Sequence, residues 1–421
     1  MRRGSKRNHL LDRFAGVPLL HGAALARRLK RPPSNWASVE RDARRIGVLC
    51  SPALGDTLLF SAPLADLRQH FDRQAAAGSE PVEIVHLCMP ENLPAAEIIA
   101  GADRRLVLNL IRPDQSIRRL RAERFDAVLD FTPWQRITAL HTLLSGARFT
   151  AGFCSAGQAR GVAYDLAVEH RRDCHELENL RAIPRALGIT SGAKPEILPD
   201  VLDTDDQNAA CWAQLWRAAT GSAEPPPQPD NLVVFHPWPA GTGSELREWP
   251  AERWKTLAAE LTRLRPGLCI AVTGGPADEP QVRQLVGQLG AGHLLASASR
   301  VFGFQGPDGL RSVAALLRRA RLAVAVNTGI MHLAAIAGTP TVGISGPTAE
   351  HRWGPIGPRV RSVTPADGSG GYLHFGFEHP RDTARVMDRI SVEQVVRAST
   401  ELLAQSRDAV AERSLAHAGI S

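Results

Sequence analysis

The chain has 421 residues, 44% of them hydrophobic, with 36 Gly and 30 Pro; this is length enough for two buried α/β cores and many loops. No run of about 18 apolar residues is free of charge, so nothing reads as a membrane span. Six cysteines stand far apart, at 50, 88, 154, 174, 211 and 269, with no CxxC pair. They read as reduced thiols of a cytoplasmic protein and exclude a disulfide or Cys-metal framework.

The formal net charge of +7 is unevenly placed. Residues 1–45 hold twelve Lys or Arg and three acidic residues, whereas the other 376 hold 38 basic and 40 acidic. The excess therefore belongs to an N-terminal extension, expected to stand outside the globular body. Its apolar residues are interrupted too often for a signal peptide. One reading lays it on an anionic membrane surface through Leu10, Leu11, Phe14, Leu19 and Leu20, with Arg27, Arg28, Lys30 and Arg31 alongside. The other is a disordered, solubilising tail.

A first domain is expected over 46–200. It opens with the compact strand RIGVLC at 45–50, breaks at SPALGD, and enters a helix from Thr57 towards His70, with Pro63 kinking it or near its first ordered turn. VEIVHL at 82–87, RLVLNL at 105–110 and FDAVLDF at 125–131 are further strands, the last leading to a helix around 135–145. Strands alternate with helices and lack strict polar alternation, which indicates a parallel sheet covered on both faces. An interdomain segment spans 201–230, with a helix over 205–219 and the stiff, exposed stretch GSAEPPPQPDN. The second domain, 231–385, starts with LVVFHP at 232–237; GLCIAVTGG at 267–275 gives a strand and turn, and a helix begins near 276. A terminal helix over 391–406 lies within a final segment, 386–421.

The most informative stretch is Leu322 to Gly357. Leu322–Val326 has the length and branching of a buried parallel strand. It passes directly into Asn327-Thr328-Gly329 and the helical IMHLAAIA; Gly338 and Pro340 end that helix before another strand at 341–344. The loop therefore sits at a strand's carboxyl end, where open α/β sheets bind ligands. Gly329 allows close backbone approach, and the helix start offers N–H groups to an anion. His332, four residues after Thr328, reaches the same side of the helix. The alternative is structural: Asn327 or Thr328 as a helix cap, and His332 as a satisfied, half-buried histidine.

Asn327 to Ala335, followed by Gly346-Pro347-Thr348, resembles the nucleotide-sugar motif of glycosyltransferase family 9, the heptosyltransferase family of lipopolysaccharide assembly. The resemblance spans most of 46–406. It implies an α/β fold of GT-B type, two facing Rossmann-like domains, with the last helix crossing back to the first domain. FDAVLDF…SGARFTAGF and His175 to Leu180 resemble the family's acceptor-side segments more loosely.

Asp56, in Pro52-Ala53-Leu54-Gly55-Asp56, is the candidate catalytic residue. It follows the first strand and precedes a helix, so a carboxylate there can take the proton of an attacking hydroxyl. By position alone it reads first as an N-cap; its match to the family's leading Gly-Asp motif reverses that order and implies the general base. On the donor side the resemblance implies that Arg247, in ELREWPAERW, meets the diphosphate in place of the family's usual lysine. Thr242, Gly243 and Ser244 wrap the phosphates, and Glu279 contacts the nucleoside unless it is simply a first-turn helix carboxylate. Asn327, Thr328, Gly329 and His332 complete the donor set. Lipopolysaccharide heptosyltransferases resembling this chain carry aspartate at position 327; asparagine keeps a hydrogen bond to a sugar hydroxyl but carries no charge.

The implied function is an inverting, metal-independent transfer of a sugar, a heptose among the candidates, from a nucleotide diphosphate donor to a lipopolysaccharide or other cell-surface glycan. An ADP-sugar is favoured, and no cofactor, metal or nucleic acid is expected. The expected location is the cytoplasm, peripheral to the inner membrane. The alternatives are a nucleotide-sugar 2-epimerase and a noncatalytic sugar-nucleotide-binding protein.

Overall fold

A computed structural model describes residues 16–50, 53–202, 213, 216–217, 231–241, 243–290, 300–304, 309–374 and 385–404. The chain divides into two compact units, Met1–Leu198 and Pro199–Ser421. Each is a six-stranded, all-parallel sheet with helices packed against it. The boundary falls where the short Pro199–Leu202 helix leaves the first unit and packs against the Leu310–Arg319 helix of the second. The expected helix over 205–219 and the proline-rich stretch lie largely or wholly outside the described residues.

The first sheet contains β1 (Arg45–Leu49), β2 (Glu83–Cys88), β3 (Arg104–Val107), β4 (Ala127–Asp130), β5 (Phe149–Cys154) and β6 (Leu166–Glu169), in the order β3-β2-β1-β4-β5-β6. Register is set by pairs such as Ile46 with Ile84 and Ile46 with Ala127. Successive strands step outward from β1 to β3, then return to the other side of β1 at β4. That reversal opens a crevice at the carboxyl ends of β1 and β4, the position at which doubly wound sheets hold ligands. The central strands are short apolar runs buried on both faces, as the sequence pattern requires. Leu49, Val85, Leu87, Phe125 and Val128 form part of the core on one side.

The second sheet contains β7 (Leu232–His236), β8 (Cys269–Thr273), β9 (Arg300–Phe304), β10 (Leu322–Val326), β11 (Thr341–Ile344) and β12 (Val360–Val363), ordered β12-β11-β10-β7-β8-β9. Its reversal lies between β7 and β10. Trp254 packs on Phe235, with ring centroids 5.1 Å apart, and meets Trp249 edge-on at 5.2 Å. The Trp249 indole N–H donates to the Ile390 carbonyl at 2.9 Å. Both tryptophans therefore serve the core.

Two expectations change. The N-terminal extension is not wholly outside the body: Gly16–Lys30 is a helix docked on the first unit, against the Arg136–Leu144 helix and the 3₁₀ turn Arg160–Ala163. Leu20, expected at a membrane surface, is buried with Ala24 among Ala139, Leu143, Ala163 and Tyr164. Leu10, Leu11 and Phe14 lie outside the described residues. The terminal helix, Val392–Ala404, packs on the Ala251–Leu264 helix and on β10, β11 and β12. Its Val395, Leu402 and Leu403 join the second core, so this helix belongs to the second unit. Finally, Pro63 sits well inside the Leu54–Ala76 helix, which begins earlier and runs longer than expected.

Candidate active site

In the first unit the site is built on the start of the Leu54–Ala76 helix, which leaves the carboxyl end of β1 beside the crevice. Its N-cap residue is Ala53, in extended conformation, and Asp56 lies inside the first turn. Asp56 is therefore not the cap. It is half-buried, at the helix end where backbone N–H groups favour a negative charge. The turn is pinned from below. The Thr57 hydroxyl donates to the Ala53 carbonyl at 2.9 Å and accepts from Asn92 Nδ2 at 2.9 Å. Asn92 Oδ1 in turn accepts from the Met89 N–H at 2.8 Å, just beyond β2. Thr57 and Asn92 thus hold the backbone that presents Asp56, a role visible only once β2 and the helix are side by side.

On the other side of the crevice, Asp130 closes β4 in a fully buried polar cluster. Arg160 Nη2 donates to Asp130 Oδ2 at 2.8 Å and to the Tyr164 hydroxyl at 2.6 Å, and that hydroxyl donates to Asp130 Oδ2 at 2.8 Å. Burial raises the Tyr164 pKa well above its ordinary value, so the phenol keeps its proton. Thr132 donates its N–H to Asp130 Oδ1 at 2.9 Å, and Arg160 Nη1 reaches Thr138 at 3.1 Å and the Gln135 carbonyl. Arg136 adds Nε to the Gln158 carbonyl at 2.8 Å. The loops after β4 and β5 are thereby tied together at the carboxyl edge of the sheet.

In the second unit the candidate residues lie on segments leaving the carboxyl ends of β7, β8 and β10. Thr328 is the N-cap of the Gly329–Ile336 helix, its side chain accepting from the Met331 N–H at 3.4 Å. The cap leaves other N–H groups of the first turn without partners in the helix, the arrangement that suits an anion. Asn327 donates from Nδ2 to the Trp353 carbonyl at 2.8 Å and, more weakly, to Ser345 Oγ at 3.4 Å. A carbonyl can only accept, which fixes the amide orientation and turns Oδ1 away from Trp353. Position 327 thus anchors the segment carrying the Glu350–Trp353 helix. His332 is buried, its N–H bonded to the Thr328 carbonyl at 3.4 Å. The Gly346-Pro347-Thr348 turn is tightly enclosed: a Cβ on Gly346 would lie 2.3 Å from Met387 Sδ.

Arg247 ends the 3₁₀ turn Ser244–Arg247, and its Nη2 donates to the Ala240 carbonyl at 2.8 Å. That bond cinches the loop after β7. Gly243 precedes the turn at φ 69°, a left-handed conformation that favours glycine. Thr242 lies outside the described residues. Glu279 is exposed and forms an ion pair with Arg283 one turn on; the capping contact in this loop is made instead by Asp278, whose carboxylate accepts from the Gly275 N–H at 2.8 Å. His236, the last residue of β7, was not singled out from the sequence. Its Nδ1 lies 2.9 Å from Thr273 Oγ1, which donates its proton to the Phe235 carbonyl at 3.1 Å. Nδ1 therefore carries the hydrogen, and burial lowers the imidazole pKa to about 4. A histidine at the strand reversal, paired in register with Ala325 of β10, is a site feature that topology alone reveals. Among the described residues there is no cluster of three or more His, Cys, Asp or Glu suited to a metal ion, and no helix long and apolar enough to cross a membrane.

Two doubly wound parallel sheets, each with chemically equipped loops at its strand reversal, define an α/β protein of the GT-B type. The family model of glycosyltransferase family 9 (heptosyltransferase) matches residues 115–369. The chain belongs to that family and is a glycosyltransferase. Among curated relatives, lipopolysaccharide heptosyltransferase 1 of Escherichia coli K12 is 24% identical over 315 residues, 72% of this chain and 88% of that protein. Lipopolysaccharide heptosyltransferase 1 of Pseudomonas aeruginosa is 32% identical over 126 residues, 30% of this chain and 31% of that protein. Among solved structures, a family 9 glycosyltransferase of Veillonella parvula superposes with a TM-score of 0.65 at 21% identity, covering 87% of this chain and 99% of its own. Escherichia coli heptosyltransferase II gives 0.65 at 16% identity over 85% and 98%, and an Escherichia coli heptosyltransferase with ADP gives 0.59 at 18% over 85% and 99%.

Proposed function

We propose that the protein inverts the anomeric centre of a nucleotide diphosphate sugar as it transfers the sugar to a lipopolysaccharide or other cell-surface glycan, without a metal ion. Asp56 takes the proton of the acceptor hydroxyl while that oxygen forms its bond to the anomeric carbon. The bond from that carbon to the diphosphate oxygen breaks on the opposite face, and the nucleotide diphosphate leaves. Arg247 and the N–H groups at the start of the Gly329–Ile336 helix offset the charge that accumulates on it. Ser244 and Gly243 shape the phosphate loop, Glu279 and His332 flank the donor, and Asn327 Oδ1 accepts from a sugar hydroxyl. An ADP-sugar, a heptose among them, is the first donor to try, because a heptosyltransferase similar to this chain in fold binds ADP. The acceptor is taken up in the cytoplasm, peripherally at the inner membrane.

The observation that carries this reading is the place of Asp56: inside a helix turn at the strand reversal, with Ala53 and not Asp56 at the N-cap. The test is a saturation-binding screen of ADP-, UDP-, GDP- and dTDP-sugars, followed by turnover with and without a glycan acceptor. Turnover that requires the acceptor is expected. Consumption of the donor alone would favour an epimerase, and binding without turnover across the panel would favour a noncatalytic role. Arg247→Ala should lower kcat/KM for the accepted donor by about 10- to 100-fold, the range for losing one preorganised charge donor; unchanged kinetics would place the diphosphate elsewhere.

A further inference from the structure

Five large hydrophobic side chains are conspicuously exposed among the described residues, and three of them, Leu19, Leu25 and Leu29, lie on the Gly16–Lys30 helix at 58%, 61% and 81%. The helix is fixed in its rotation by the face it docks. Leu20 and Ala24 are buried in the first unit. Arg27 donates from Nη1 to Thr150 Oγ1 at 2.9 Å and pairs through Nη2 with Asp165 at 2.5 Å. Arg31 donates to the Ala147 carbonyl at 3.2 Å. With 3.6 residues per turn, these four residues share one stripe, and Pro18, Gly22, Leu25 and Leu29 fall on the opposite side. Leu19 and Lys30 occupy one shoulder of that outer side, and Arg28 the other; all three are exposed.

The two kinds of arginine on this helix are therefore used differently. Arg27 and Arg31 fasten the helix to the fold, while Arg28 and Lys30 border an outward apolar ridge that is exposed among the described residues. A helix kept only to complete the core would present polar residues to water along that ridge. An apolar ridge bordered by cations instead matches the chemistry of an anionic lipid surface, acyl chains below and negative headgroups at the sides. Arg2, Arg3, Lys6, Arg7 and Arg13 precede the helix in sequence and lie outside the described residues.

We infer that the outer face of the Gly16–Lys30 helix is a docking surface for an anionic phospholipid membrane, with Leu25 and Leu29 entering the acyl boundary and Arg28 and Lys30 meeting headgroups. This deepens the proposed peripheral membrane location and rests on it only for the reason a membrane is present. It reverses the part expected of Leu20, which holds the helix to the protein and not to lipid.

The test is co-sedimentation of the full-length protein with vesicles of equimolar phosphatidylethanolamine and phosphatidylglycerol, against vesicles of phosphatidylcholine alone. The wild type should bind the anionic vesicles, less tightly as salt is raised, and the neutral ones weakly. Leu25→Ser/Leu29→Ser should weaken anionic binding by about tenfold or more, and Arg28→Glu/Lys30→Glu by a similar factor. Both pairs are exposed, so circular dichroism and thermal melting should match wild type. No donor or acceptor is needed for the binding measurement, so its outcome is independent of the proposed reaction. Absent binding by wild type, or binding as tight as wild type by either double variant, would overturn the inference. A dimer that Leu25→Ser/Leu29→Ser converts to monomer, with vesicle binding unchanged, would overturn it in favour of self-association.

Discussion

Replacing Arg160 with Met should unfold the first unit far more readily while preserving side-chain length. Arg160 and Asp130 have no solvent exposure, and the guanidinium supplies the ion pair at 2.8 Å as well as bonds to Tyr164, Thr138 and the Gln135 carbonyl. Without it, Asp130 keeps the Tyr164 hydroxyl and the Thr132 N–H but remains a buried charge with no counter-ion. Removing one partner of such a pair costs about 3–5 kcal/mol. Two separate units make a single global unfolding energy ambiguous, so amide hydrogen exchange is the suitable assay. Peptides covering β4 and β5 should exchange roughly a hundredfold faster or more, since each 1.4 kcal/mol is about tenfold, while β7 and β10 peptides should be unchanged. Asp130→Asn added to Arg160→Met should restore part of the loss, because the uncompensated charge is gone. A change below about 1 kcal/mol for Arg160→Met would refute the claim that this cluster anchors the carboxyl-edge loops.

Two buried histidines make stability acid-sensitive. Burial lowers His86 to about 3 and His236 to about 4. The unfolded chain binds these protons near pH 6.5 and the folded chain resists them, so stability is constant above that pH and falls as pH drops towards the folded values. By pH 5 the loss should be about 2 kcal/mol per histidine. His86→Leu should flatten the urea midpoint against pH for the first unit; an unaltered slope would remove His86 as the cause. Asn327→Asp places a carboxylate oxygen where Nδ2 now donates to the Trp353 carbonyl, so it should cost about 1–3 kcal/mol and raise the donor KM. A variant melting as wild type with the same KM would show that this latch contributes nothing.

Where local pattern and burial agree, the sequence was sufficient. Leu322–Val326 and Thr341–Ile344 are strands with the expected bounds, because each is a short apolar run closed by turn residues. β5 and β6 carry little strand signal in the sequence: FTAGFC holds a glycine, which weakens it, and LAVE is only four residues long at the sheet edge. In β5, Gly152 is required because a Cβ would lie 2.5 Å from the Tyr164 ring, a contact made by residues twelve apart. The Asp130–Arg160 pair joins residues thirty apart, so no spacing rule reveals it. Within the Gly16–Lys30 helix, Arg27 and Arg31 look like tail cations in the sequence, and only the fold puts Asp165 and the Ala147 carbonyl beneath them. Asp56 was identified by motif, but its place inside the helix turn, and the Thr57–Asn92 bond beside it, needed the fold.

Asp56 is tested most directly by single-turnover transfer in Asp56→Asn protein, with the donor and acceptor established by the screen. Asparagine keeps the size and one acceptor oxygen but cannot carry the proton of the attacking hydroxyl. Since Ala53 is the cap, the substitution should leave the helix and donor affinity close to wild type. The transfer rate should fall roughly 100-fold or more, within the range for positioned acid–base catalysis. Single-turnover conditions keep product release from masking the loss. Transfer at the wild-type rate by folded, donor-saturated Asp56→Asn protein would contradict the assignment of Asp56 as the base.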